Sequence, residues 1–261
     1  MDISNFLPKE NELPLDTLID GGGLTKIFRT IACIGDSLSS GEFESYNEDR
    51  GNGYHDFYEY SWGQYMAREA GITVYNFSRG GMTAKEYMES FAEYNGLWKE
   101  DKLCQAYIIA LGVNDLIGQK QELGKVSDAD ERECDTFASH YGKMIKRIKM
   151  IQPEAKVFLM TMPRDENAET NSVKEGHAKL LYGFAEKFKN TYVLDLYKYA
   201  CSYDKEFKKH FFLGGHMNAS GYILTAKMVM SYIDYIIRHN HDDFVQVPFL
   251  DKPYYNMNYR R

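Results

Sequence analysis

Short apolar runs of strand length, rich in β-branched and aromatic residues, recur along the chain between longer stretches of mixed polarity. The runs are 30–34 (TIACI), 72–77 (ITVYNF), 106–111 (AYIIAL), 156–161 (KVFLMT) and 191–196 (TYVLDL). Runs of this kind predict β-strands.

Amphipathic stretches separate these strands. The clearest helical periodicity covers about 61–70, 83–94, 130–151, 171–189 and 218–238. Thr83 and Glu86 have the spacing of a capping box, and Pro153 follows a helix that ends in basic residues. Strands that alternate with helices indicate an α/β protein, and right-handed crossovers predict a three-layer α/β/α sandwich around a five-stranded parallel sheet.

The sequence predicts one domain over residues 1–261. It has no internal repeat, no low-complexity tract and no Gly/Ser linker. We divide it into an N-terminal arm (1–28) that Gly21–Gly23 closes, a core (29–238) and a C-terminal extension (239–261). Whether the last residues pack on their own subunit or on a neighbouring one is open, as is the oligomeric state.

Composition narrows the class of protein. The chain is 44% hydrophobic and 26% charged, with a formal net charge of -7. An acidic balance gives no reason to expect nucleic acid or an anionic membrane as a partner. The first 16 residues lack the basic start of a secretory signal, and no apolar run approaches the roughly 20 residues of a membrane span. We therefore expect a cytoplasmic protein with a small-molecule substrate.

Cysteine and histidine usage predicts no metal site. Cys33, Cys104, Cys134 and Cys201 are far apart and include no C-x-x-C pair. Because Cys33 and Cys104 lie in or beside apolar strand-like runs, buried free thiols are favoured over disulfides or zinc. The HNHDD run at 239–243 is more typical of a solvated helix end than of a metal site. Six of the seven histidines, all except His216, lie in polar or amphipathic contexts that predict solvated positions.

Polar residues that suit catalysis follow three of the strands. In such sheets ligands bind beyond the carboxyl ends of the strands. Gly35-Asp36-Ser37 ends the first strand and would seat a nucleophile there. Gly81 follows the second strand and Asn114 the third, where a backbone N–H and an amide can approach an oxyanion. Each segment taken alone is equally compatible with an ordinary turn.

His216 lies in the fourth such segment, Gly214-Gly215-His216-Met217-Asn218, directly before the last predicted helix. It can act as a general base only if this loop folds over the same sheet edge.

Together these segments resemble the SGNH (GDSL) hydrolase superfamily of lipase-like and esterase-like enzymes. The resemblance runs from about residue 31 to 237 and is carried by GDSL, NFSRGGMT and GVND. It implies a flavodoxin-like fold, Ser37 as nucleophile and His216 as base. It also implies an oxyanion hole formed by the N–H groups of Ser37 and Gly81 with the Asn114 side chain. No metal or organic cofactor is implied.

One position departs from the family pattern. An aspartate usually lies three residues before the histidine, and here that residue is Leu213. His216 must then be oriented by a backbone carbonyl or by an acid from elsewhere. Asp195, at the end of the fifth strand, is the first candidate, although a purely structural role for it is the alternative.

The sequence therefore predicts a serine esterase that acts on small-acyl carboxylic esters through an acyl-enzyme intermediate. Tyr54, Tyr58 and Trp62, with Arg79, are candidates for a substrate pocket, although core packing is the alternative for the aromatic residues. The resemblance favours acetyl esters of carbohydrates, with lipids, acyl thioesters and esters of small alcohols left open. The alternative function, suggested by Leu213, is a binding protein on this fold that has lost turnover.

Overall fold

The computed structural model describes residues 1–250. The strands in this part of the chain are β1 (Thr30–Gly35), β2 (Glu42–Asn47), β3 (Gly51–Asp56), β4 (Thr73–Ser78), β5 (Ala106–Ala110), β6 (Lys156–Met160), β7 (Thr191–Leu194), β8 (Phe212–Leu213) and β9 (His216–Met217).

Five of these strands form one parallel sheet in the order β4-β1-β5-β6-β7. They coincide with the five apolar runs, so the predicted parallel sheet is confirmed. The chain leaves β1 toward β4 and then crosses to β5 on the other side. This reversal creates a crevice at the carboxyl ends of β1 and β5, where open α/β sheets bind ligands.

The helices are α1 (Ser37–Ser40), α2 (Trp62–Ala70), α3 (Ala84–Glu86), α4 (Ala92–Tyr94), α5 (Phe137–Ile151), α6 (Ala168–Lys187), α7 (Leu196–Tyr199), α8 (Lys205–Phe211), α9 (Ala219–His239) and α10 (His241–Phe244). A π-helical turn, Tyr87–Phe91, joins α3 to α4, so the predicted helix 83–94 is one helical stretch.

Helices cover both faces of the sheet. On one face, Ile31 and Cys33 of β1 join a core that includes Trp62 of α2 and Tyr222 of α9. The intervening β1 residues Ala32 and Ile34 point to the other face, into a core built with α5 and α6. This alternation is the period of a strand, and it confirms the three-layer α/β/α sandwich.

One predicted boundary is wrong. The helix expected from residue 130 begins at Phe137, and Thr136 caps it by accepting a hydrogen bond of 3.2 Å from the Ser139 N–H. Residues Val126–Asp130 form a separate 3-10 turn. A capping threonine satisfies a free N–H at the helix start, which is why the helix begins there.

A β-hairpin that the sequence analysis did not anticipate follows α1. Strands β2 and β3 pair antiparallel with each other and are separate from the five-stranded sheet. Residues two apart on a strand share a face, so Glu42 and Glu44 project to the same side. Tyr54 is paired with Glu44 and lies on that side too.

The two predicted terminal segments pack on the core. In the N-terminal arm, the Ile19 and Leu24 N–H groups donate to Ser231 and Asp234 of α9, at 2.9 and 2.8 Å. In the C-terminal extension, Phe244 and Val247 are buried, so this part lies on its own chain, whereas residues 251–261 are outside the described part. No helix among residues 1–250 has the length and apolarity needed to cross a membrane.

Candidate active site

The serine loop follows directly from β1. A Cβ at Gly35 would lie 2.3 Å from the Ser39 hydroxyl, so a side chain does not fit there. Asp36 is buried and caps α1 by accepting a hydrogen bond of 3.0 Å from the Leu38 N–H. Ser37 is therefore the first residue of α1, at the sheet edge, and is partly exposed.

The glycine loop follows β4 and lies against the end of β1, because the Arg79 N–H donates to the Gly35 carbonyl at 3.3 Å. Gly81 has a φ of 74°, in the left-handed region that favours glycine. It is exposed, and a Cβ there would meet no atom within 4 Å. The open surroundings leave room for a ligand beside the Gly81 N–H.

The asparagine loop is attached to the glycine loop by two hydrogen bonds. The Asn114 amide donates to the Met82 carbonyl at 3.1 Å, and the buried Asp115 accepts from the Ala84 N–H at 2.7 Å. An amide nitrogen has two protons, so Asn114 keeps one donor for a further partner. Val113–Gly118 form a π-helical turn, a distortion that is frequent at functional sites.

The histidine loop folds over the same edge. Strand β9, which begins at His216, packs beside α1 and β2. On α9, the Tyr222 hydroxyl lies 2.6 Å from the Glu42 carbonyl and 3.4 Å from the Ser37 carbonyl. The structure thus brings the loops of Ser37 and His216 together, although no hydrogen bond links the two side chains in the described residues.

The carboxylates nearest His216 come from the hairpin. Its Nε2 lies 3.1 Å from Glu42 Oε1, and its Nδ1 lies 3.7 Å from Glu44 Oε2. Neither glutamate was predicted from the sequence. The alternation of polar and apolar residues in EFESYN was the available signal, because it is the pattern of a strand with both acids on one face.

Asp195 has a different set of partners. It is buried at the end of β7, where it accepts hydrogen bonds from the Tyr182 hydroxyl at 2.9 Å, the Thr161 hydroxyl at 3.2 Å and the Lys198 N–H at 3.1 Å. It makes no ion pair with His216 in residues 1–250. Its contacts are those of a strand-end acid that caps α7.

The four predicted pocket residues lie in three places. Tyr54 and Arg79 line a cleft of about 330 Å³ together with Glu42, Asp56, Gly80 and Gly81. Trp62 is only 1% exposed and borders a separate apolar cavity of about 60 Å³ under α1. The Tyr58 hydroxyl donates a hydrogen bond of 3.1 Å to the Val74 carbonyl of β4, a strand at one edge of the sheet.

Burial raises the pKa of several acids around the serine loop. It raises the pKa of Asp36 to about 7, and the charges of Asp115 and Glu42 act in the same direction. It raises the pKa of Asp115 to about 6. Burial also raises the pKa of Glu42, with the charge of His216 opposing the change. The site therefore holds several carboxyl groups whose charged forms are disfavoured.

His177 was predicted to be solvated, and this is wrong: the residue is 0% exposed. Its Nε2 lies 3.0 Å from where a Cβ on Gly112 would be, directly behind the asparagine loop. Burial lowers the pKa of His177 to about 4, so it is neutral at physiological pH. His177 lies on the buried face of the long helix α6. The polar residues around it in the sequence did not indicate which face of the helix it occupies.

A doubly wound sheet that carries a serine, a glycine, an asparagine and a histidine in this chain order at its carboxyl edge defines an SGNH-type hydrolase. The model of the GDSL-like lipase/acylhydrolase family matches residues 33–224. The chain belongs to this family, and it is a serine ester hydrolase of the esterase or acylhydrolase type. The comparison with curated proteins gives no match.

Solved structures share the fold at low sequence identity. A family two carbohydrate esterase from Clostridium thermocellum, in complex with cellohexaose, is 14% identical with a TM-score of 0.58, over 82% of this chain and 65% of that one. A possible lipase from Chitinophaga pinensis is 17% identical with a TM-score of 0.57, over 81% and 98%. A family 3 carbohydrate esterase from Clostridium thermocellum is 15% identical with a TM-score of 0.52, over 81% and 98%.

Proposed function

We propose that this protein removes small acyl groups, in particular acetyl groups, from carbohydrate esters, with Ser37 as nucleophile and His216 as base. The observation that carries the proposal is the convergence of four loops at one edge of the sheet. Hydrogen bonds connect the glycine loop to the serine and asparagine loops, and Tyr222 connects the serine loop to the hairpin beside His216.

The reaction follows from the chemistry of these groups. Ser37 Oγ attacks the ester carbonyl while His216 Nε2 accepts its proton, for which Nε2 must leave Glu42. The tetrahedral intermediate collapses to an acyl-serine, and His216 returns the proton to the departing alkoxide. Water then attacks the acyl-serine in the same way and releases the acid.

Asn114 is proposed to stabilise the oxyanion with the N–H groups of Ser37 and Gly81. Its hydrogen bond to the Met82 carbonyl holds the amide in place before substrate binds. Preorganised donors of this kind act on the transition state more than on the bound substrate.

We expect Asn114→Ala to lower kcat by about 10² to 10³ with KM little changed. The measurement is steady-state hydrolysis of p-nitrophenyl acetate. Asn95→Ala, which changes an asparagine at the end of α4, is the control and should leave kcat unaltered. A change confined to KM would contradict the oxyanion role and make Asn114 a substrate-binding residue.

The carbohydrate substrate is supported by exposed aromatic rings beside the cleft. Tyr54 is 59% exposed on the rim, and Tyr46, on the same face of the hairpin, is 74% exposed. Exposed tyrosines offer apolar faces on which sugar rings can pack. A cleft of about 330 Å³ is near the lower limit for ligand sites and suits a short acyl group with one sugar ring.

Substrate preference tests this proposal. We expect Tyr54→Ala to raise KM for an acetylated oligosaccharide about tenfold, because loss of one ring contact removes roughly 1.4 kcal/mol. The KM for p-nitrophenyl acetate should change much less. Tyr94→Ala, which removes an exposed tyrosine on α4, is the matched control. Equal KM changes for both substrates, or faster hydrolysis of octanoyl than of acetyl esters, would contradict the proposed substrate.

A second candidate function, ester binding without turnover, has one observation in its favour: Nε2 of His216 contacts Glu42 and not Ser37. Reaction with a fluorophosphonate distinguishes the two functions, since only an activated serine is labelled. The cytoplasmic location stays a prediction.

A further inference from the structure

The histidine loop contributes no acid of its own to the His216 ring. Leu213 is paired with His216 across the β8–β9 hairpin and is half exposed. Residues directly opposite in an antiparallel pair have Cβ atoms about 4.5–5.5 Å apart. An acid at position 213 would reach the ring, whereas leucine provides no acceptor. An orienting carboxylate must come from another part of the chain.

Glu44 is held in place next to that ring. The Asn52 side-chain amide donates to its Oε1 at 2.7 Å, and the Gly215 N–H donates to its Oε2. The Glu44 side chain is only 12% exposed. Two donors therefore fix the carboxylate before any substrate binds, and one of them belongs to the residue that precedes His216.

The glycines before His216 make room for this carboxylate. A Cβ on Gly214 would lie 2.5 Å from Glu44 Oε2, and one on Gly215 would lie 3.1 Å from it. Gly214 also has a φ of 66°, which other residues rarely adopt. The Gly-Gly pair thus fits a close approach of Glu44 to the loop.

The two ring nitrogens of His216 have different surroundings. Nδ1 is buried, has no hydrogen-bond partner in the described residues and lies on the side of Glu44. Nε2 lies on the side of Glu42, which lines the cleft together with Gly80 and Gly81. The nitrogen that can serve substrate chemistry is therefore Nε2, and the nitrogen that can be held by an acid is Nδ1.

We propose that Glu44 is the positioning residue for His216 and replaces the acid that the loop lacks at Leu213. This inference rests on the proposed function. When Nε2 leaves Glu42, the ring closes the 3.7 Å between Nδ1 and Glu44 Oε2, and the Nδ1–H then donates a hydrogen bond to that carboxylate. The Nε2 lone pair is left to accept the Ser37 proton. The carboxylate of Glu44 then stabilises the imidazolium that forms, and the proton stays on the ring.

Glu44→Gln tests this role, because a glutamine side chain has nearly the same shape as a glutamate side chain. The Gln amide can donate to Nδ1 and so favours the tautomer with its proton on Nε2, which cannot act as a base. We expect kcat for p-nitrophenyl acetate to fall by about 10² to 10⁴ with KM nearly unchanged. Glu48→Gln, which changes an exposed glutamate in the turn between β2 and β3, is the matched control, and its kcat should not change.

Rescue separates positioning from a structural role. In the Glu44→Gln background, Leu213→Asp should restore kcat at least about tenfold, because it returns a carboxylate to Nδ1 from the opposite strand. Asn52→Ala, an exposed change that frees Glu44, should lower kcat about three- to tenfold; it tests the role independently if Glu44→Gln does not fold.

Full kcat in Glu44→Gln, or a larger loss in Glu42→Gln or Asp195→Asn, would overturn the assignment of Glu44. If the wild-type protein still reacts with a fluorophosphonate at Ser37 in that case, the proposed function stands and only this inference fails. If the wild-type protein does not react, the proposed function fails and the inference fails with it.

Discussion

Ser37→Ala is expected to lower kcat for p-nitrophenyl acetate by at least about 10⁴, the largest effect of any single substitution in this chain. Without the hydroxyl no acyl-enzyme can form, and the residual rate comes from binding and the oxyanion donors alone. The same variant should no longer be labelled by a fluorophosphonate, whereas mass spectrometry should find one label on Ser37 in the wild-type protein.

The fold should survive this change. Ser37 is partly exposed at the start of α1, and its hydroxyl makes no hydrogen bond in residues 1–250, so the free energy of unfolding should change by no more than about 0.5 kcal/mol. Ser90→Ala, an exposed serine, is the control for labelling and activity. Retention of more than a few per cent of the wild-type kcat in Ser37→Ala would exclude Ser37 as the nucleophile.

Asp36→Asn is expected to stabilise the protein at pH 8. Burial raises the pKa of Asp36 to about 7, so the folded state holds a proton that the unfolded chain releases near 3.8. Stability from this group is complete below pH 3.8 and is lost as the pH rises through about 7. Asparagine does not titrate and can still accept from the Leu38 N–H. The gain should be roughly 1 kcal/mol at pH 4.5 and roughly 4 kcal/mol at pH 8.

Urea unfolding at these two pH values measures the gain. Asp130→Asn is the control, with an expected change in stability of the opposite sign. Hydrogen bonds from Lys146 and Lys187 lower the pKa of Asp130 to about 2. Its charge therefore favours folding above pH 3.8, and that contribution is lost as the pH falls through 2. It should therefore destabilise the protein at pH 8. An Asp36→Asn gain that does not increase with pH would show that Asp36 is ionised in the folded protein.

The sheet was predictable because its central strands, β1, β5 and β6, are buried on both faces. Ile31, Ala32, Cys33 and Ile34 are all at most 1% exposed, so four successive positions of β1 require apolar side chains, and this run identifies the strand. The four loops were predictable because each follows such a strand or precedes the last helix.

The hairpin was not predictable in the same way. Strands β2 and β3 are mostly exposed and consist largely of charged, polar and glycine residues, so they lack an apolar run. The carboxylates at His216 come from this hairpin, over 170 residues away in the chain. From the sequence, Asp195 at the end of β7 was the expected acid. Proximity across an edge of the sheet cannot be read from sequence order.

The hairpin's separate pairing makes this part of the enzyme exchangeable. Within residues 1–250, β2 and β3 share ladder hydrogen bonds with each other and not with the central sheet. Residues 42–56 can therefore change without the loss of a ladder hydrogen bond in the five parallel strands. If Glu44 positions the base and Tyr54 contacts the sugar, both the turnover rate and the choice of substrate depend on this one segment of fifteen residues. Substitutions within the segment would then change both properties together.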